Sequence, residues 1–214
     1  MLFDLRARGR RRAIKVIYLF LALLMGGGLI FFGIGGSTDS SLTKQVDKYR
    51  KAVRLSPQDA KAWAALTRAQ YQVAGIGDNY DQNAGTFTAK GRQALVSVEH
   101  SWDRYLALSP SKPNPDLASL MVQAFSPTGL SRPAKAVAAQ EVVVDARPPS
   151  AGLYSTLAVL AYAAGQTRKG DLAAGKAVSL APKDQRATLK DQLAAQKQAA
   201  TGAGSSTTTA PSSG

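Results

Sequence analysis

The side chains that most often do chemistry are scarce in this 214-residue chain, which holds one histidine, His100, and no cysteine. Without cysteine there is no thiolate nucleophile, no disulfide, no Cys-ligated zinc and no thiol for a lipid. Ser/His/Asp hydrolysis would rest on His100 alone. That residue lies in VEHSW beside Trp102, a setting that predicts a partly buried histidine on a helix. A carboxylate pair would have to come from Glu99, Asp103 and Glu141, and nothing in their spacing places the three together. The segment GIGDNYDQNAGTF, Gly75 to Phe87, offers Asp78, Asn79, Asp81 and Asn83. It lacks the alternating ligands and late bidentate glutamate of a helix–loop–helix calcium site. It reads instead as a solvated loop of turn-forming residues that Tyr80 and Phe87 pin to the rest. No G-x-S-x-G, H-E-x-x-H, Walker loop or dinucleotide glycine motif occurs. The expectation is a chain that is not an enzyme, with no catalytic residue, metal ligand or cofactor.

Charge carries more information. The net charge is +13. Arg6, Arg8, Arg10, Arg11, Arg12 and Lys15 crowd the first fifteen residues against Asp4 alone; they hold five of those charges and leave about +8 on the rest. Next, VIYLFLALLMGGGLIFFGIGG, Val16 to Gly36, runs 21 residues without a charge. As a helix at about 1.5 Å per residue it would match the hydrocarbon thickness of a bilayer. A cleaved signal peptide has a shorter apolar core followed by an A-x-A-like site, and no such site follows Gly36. The expectation is a single-pass integral anchor at 16–36, a basic cytoplasmic tail at 1–15, and everything after about residue 37 on the extracytoplasmic face of a bacterial-type plasma membrane. That topology sets the basic charge away from nucleic acid, and no basic stripe with interleaved aromatics appears.

The rest of the chain is organised by proline. YRKAVRLSP, LALSP, VDARP and VSLAP close on Pro57, Pro110, Pro148 and Pro182, spaced 53, 38 and 34 residues apart. Upstream, pairs three residues apart recur: Tyr49 and Ala52, Trp102 and Tyr105, Gln140 and Val143, Ala174 and Ala177. Such pairs share one helix face, and proline disfavours helix in the residue before it, so each helix should stop there. Downstream, Trp63 and Leu66 follow Pro57 as Tyr154 and Leu157 follow Pro148, each opening a further helix. In AYAAGQ, Gly165 suits a left-handed helix–helix turn.

A period of 34 with these residues resembles the tetratricopeptide repeat. The best unit is Ala151–Asp184, with Tyr154, Leu157, Ala158, Gly165, Ala177 and Pro182 at signature positions. The first unit keeps Trp63, Leu66 and Pro110 around the 75–87 insertion, and the middle one keeps Leu117, Leu120 and Pro148. The resemblance implies an all-α fold, a short solenoid of helical hairpins over 40–198. A helix from about Asp184 to Gln198 would cap it, and a disordered tail at 199–214 would follow.

In that family the first helix of each pair lines a peptide-binding groove. The resemblance therefore implies groove positions at Lys61, Arg68, Tyr71 and Gln72 in the first unit and Ser155, Val159 and Tyr162 in the last. Lys61 and Arg68 would meet a carboxylate. The implied function is protein–protein interaction, as a scaffold or assembly factor whose partner is a protein or peptide. The layout is similar to that of membrane-anchored repeat proteins beside secretion or envelope-assembly machinery. The rival is a basic envelope-binding module whose +8 domain holds an acidic wall polymer or lipid surface.

Overall fold

The computed structural model describes residues 38–108 and 110–204. The chain divides into Met1–Ser40 and Ser41–Gly214. The expected basic tail and the expected membrane span at 16–36 lie outside the described residues. Among the described residues, no helix is long and apolar enough to cross a membrane.

Eight α-helices are described: α1 Thr38–Leu55, α2 Ala60–Ala74, α3 Ala89–Ala107, α4 Pro115–Ala124, α5 Pro133–Ala146, α6 Ala151–Ala163, α7 Thr167–Leu180 and α8 Arg186–Gly204. The four prolines do what their spacing implied. Helices α1, α5 and α7 each stop two residues before Pro57, Pro148 and Pro182, and α3 stops three before Pro110. Restarts are set by polar caps. Asp59 accepts from Lys61 N and Ala62 N at 2.8 and 3.3 Å, and Asn114 accepts from Asp116 N and Leu117 N at 2.9 and 3.0 Å. Ser150 caps α6 through Leu153 N. Pro115 and Pro133 stand in the first turns of α4 and α5, where a missing N–H costs nothing.

Helices pair in chain order, α2 with α3, α4 with α5 and α6 with α7; α5 also packs on α6, and α8 on both α6 and α7. Gly165 makes the α6–α7 turn at φ 71°, which a side chain would resist. Three cores result. Val46 and Val53 of α1 meet Leu66 and Ala69 of α2. Leu95, Val98 and Trp102 of α3 pack with Leu117 and Met121 of α4 and Val143 of α5. Leu157, Ala158 and Tyr162 of α6 pack with Ala173 and Ala177 of α7 and Leu193 of α8. Buried polar groups are matched: Gln140 Nε2 donates to Leu153 O at 3.0 Å, and Ser101 Oγ to Gln70 Oε1 at 2.6 Å.

Two expectations need correction. Residues 75–87 are not a plain loop. A 3₁₀ turn at Gly77–Asn79 leads into β1 Tyr80–Asp81, which pairs antiparallel with β2 Thr86–Phe87. The expected disordered tail also begins too early, since α8 runs on through 199–204. Alanine has the highest helix propensity, and Ala200 gains a partial contact with the third core. The Thr201 hydroxyl donates back to Lys197 O at 3.0 Å.

Candidate functional site

Three of the implied groove residues come together. Lys61, Arg68 and Gln72 line a cleft of about 400 Å³. Their positions on α2, at i, i+7 and i+11, set them along one face, with Lys61 and Arg68 about 10 Å apart along the axis. Gln45 and Tyr49 of α1 line it too, as do Asn114, the N-cap of α4, and Leu117 of α4. The small side chains of Ala64, Ala65 and Ala69 also line it.

Lys61 is exposed and Arg68 half-buried, and neither has an ion pair among the described residues. The cleft is rich in donors. Lysine and arginine donate only, and Gln45, Gln72 and Tyr49 add groups that both donate and accept. Asn114 contributes less, because its carboxamide oxygen already caps α4. The chemical complement of such a surface is an anionic, acceptor-rich group.

The other implied residues lie elsewhere. Tyr71 is one step round α2 from the cleft. Its hydroxyl donates to Gln123 Oε1 on α4 at 2.9 Å, and its ring meets Phe87 edge-on at 6.3 Å. Burial, and then the neighbouring Tyr80, push its phenol up to about 12. Ser155 and Val159 are half-buried, and Val159 packs on the third core. Tyr162 is a correction: it is 6% exposed and belongs to the core, not to an open face. Its hydroxyl donates to Asp171 Oδ1 at 3.0 Å, and burial followed by that bond raises its pKa to about 12.

The groups weighed for catalysis are held in structural contacts. His100 is exposed, not partly buried, and stands edge-on to Trp63 at 6.5 Å. Glu99 and Asp103, one turn apart on α3, both grip Lys135 of α5 at 2.7 Å. Burial alone would lower the Lys135 pKa, but hydrogen bonds to Asp103 and Glu99 outweigh it and raise the value. Glu141 pairs instead with Lys169 at 2.5 Å. In the insertion, Asp81 Oδ1 accepts from Asn83 N and Ala84 N, and Asp78 meets Lys90 at 3.3 Å. Among the described residues no three His, Asp or Glu side chains are placed to hold a metal ion.

Gln45, Tyr49, Asn114 and Leu117 were missed as site residues. Tyr49 carried a signal, since it stands eight residues before Pro57 as Trp102 does before Pro110. Nothing in the residues themselves says that α1 and α4 flank the same face of α2. No protein-family model, curated protein or solved structure matches the chain.

Proposed function

We propose that this chain is a membrane-anchored, tetratricopeptide-like scaffold on the extracytoplasmic face, which holds an extended acidic segment of a partner protein in the α1–α2–α4 cleft. One observation carries the reading: Lys61 and Arg68, both without an acid among the described residues, line one cleft. An unpaired cation is ordinary on an open surface. Two on one helix face, in a cleft also lined by alanines, amides and a tyrosine, suit a bound chain. Their spacing favours a form of ligand. A peptide in the extended polyproline II conformation rises about 3.1 Å per residue with three residues per turn, so acids three residues apart share one face and span about 9 Å. The helical hairpins at α2–α3, α4–α5 and α6–α7 support the family likeness, and the uncharged 16–36 segment supports the anchor.

The test uses the full chain in detergent and a fluorescent peptide with two glutamates three residues apart. Replacing Lys61 and Arg68 with alanine should weaken binding by about 2–4 kcal/mol, the scale of two charge-assisted contacts. The control pair is Lys183→Ala with Lys190→Ala, both exposed. Arg186 is not a suitable control, because its guanidinium donates to Ala181 O and Ser179 O and closes the end of α7. Equal loss in both double variants, with a parallel salt response, would assign binding to the diffuse positive charge and overturn the cleft.

A further inference from the structure

Helix α1 has a second face that the cleft does not use. Lys44, Lys48, Lys51 and Leu55 fall at i, i+4, i+7 and i+11, in one row along the helix. The row lies opposite Val46 and Val53, which are turned into the core. All four side chains are exposed, Leu55 to 75%. None of the three lysines has an ion pair among the described residues, and Lys48 Nζ stands 5.8 Å over the Tyr49 ring. Asp47, three residues after Lys44 and four before Lys51, borders the row, and there it binds Arg50 at 3.0 Å.

We propose that this row is a docking surface for an anionic phospholipid bilayer, along which α1 lies. Charge complementarity is the first argument. Phosphate headgroups attract a row of lysines, whose stems can lie on the interface while the ammonium groups reach the phosphates. Leu55, at the end of the same row, would enter the boundary between headgroups and acyl chains. Chain length is the second. The uncharged Val16–Gly36 segment ends two residues before α1 begins at Thr38, a reach of about 7 Å at most. A helix tethered that close to a bilayer has its cation row within contact range. The inference rests on reading 16–36 as a membrane span, and it is independent of the peptide cleft.

The chain has no cysteine, so Leu55→Cys gives a unique thiol for a fluorophore. The labelled full chain is reconstituted into phosphatidylcholine vesicles with or without phosphatidylglycerol, each carrying a headgroup-quenching lipid. Quenching should be several-fold stronger with phosphatidylglycerol and should fall with added salt. Each lysine changed to glutamine should lower the docked-to-undocked ratio about five-fold. A label at Leu172→Cys, an exposed position on α7, should respond to none of these changes. Quenching that ignores lipid charge, or survives Lys44→Gln, Lys48→Gln and Lys51→Gln together, overturns the proposal. A chain that does not float with vesicles in high salt overturns the anchor and the surface with it. One that floats with its label unquenched overturns the surface alone. Shielding in native membranes but in neither vesicle type means that a protein covers the row, which also overturns it.

Discussion

The Tyr71 hydroxyl donates to Gln123 Oε1 at 2.9 Å, tying α2 to α4 beside the cleft that these two helices line. The same ring leans on Phe87, which itself stacks edge-on with Tyr80 at 5.2 Å. Phe87 N donates in turn to Thr128 O in the α4–α5 connection at 3.4 Å. The insertion is therefore a strap across the first two hairpins. Tyr71→Phe keeps the ring contacts and removes one hydrogen bond. Denaturant unfolding of the full chain in detergent should show a loss of about 0.5–1.5 kcal/mol. An unchanged midpoint would mean the bond contributes nothing to joining α2 and α4.

Leu157 is nearly buried in the third core, beside Ala158 and Ala161 of its own helix. Truncation to alanine leaves a cavity that neighbouring alanines are too small to fill. Thermal unfolding should report a loss of about 2–5 kcal/mol. A stability equal to that of the parent chain would contradict the packing of α6.

Two glycines of α7 should respond with opposite signs. A Cβ at Gly170 would stand 2.3 Å from Tyr162 Cε1 and 2.4 Å from Cδ1, so the ring must move. Gly170→Ala should cost about 1–3 kcal/mol through overpacking. At Gly175 a Cβ meets nothing within 4 Å, and Gly175→Ala should stabilise by about 0.5–1 kcal/mol through helix propensity. The pair is read in one denaturation experiment. Equal signs would show that the Tyr162 ring does not lie where the fold puts it.

Asp171 joins three helices: it accepts from Tyr162 Oη of α6, and both its oxygens accept from Lys197 Nζ of α8 at 2.8 Å. The Lys197 bond first, and then the Tyr162 bond, hold its carboxyl below the usual 3.8. A depressed folded pKa gives stability that is present above the unfolded value and is lost as pH falls through the folded one. Amide exchange in α8 should therefore quicken relative to α3 below about pH 4, the unfolded carboxylate range. Asp171→Asn should abolish that difference. An α8 in Asp171→Asn that still loosens in step with the parent would contradict the role of this carboxylate.

Much of this arrangement was legible because it is local. Helix ends before Pro57, Pro110, Pro148 and Pro182 follow from the steric rule for the preceding residue, and Gly165 marked its turn by needing no Cβ. The face shared by Lys61, Arg68 and Gln72 follows from helical period alone. What failed depended on contacts between segments. Tyr162 looked like a groove residue until Gly170 opened space for its ring. His100 looked half-buried because its neighbour Trp102 is core, yet two residues along a helix turn it to the opposite side. Where α8 runs on through 199–204, Ala200 packs against the third core, a contact that composition does not reveal.

The central claim is that the α1–α2–α4 cleft holds a partner segment. A photo-crosslinking residue at Gln72, in native membranes, measures this most directly. It should give one discrete protein adduct that is lost with Lys61→Ala and Arg68→Ala and retained with Lys183→Ala and Lys190→Ala. No adduct from Gln72, or an adduct reduced equally by both double variants, would contradict it.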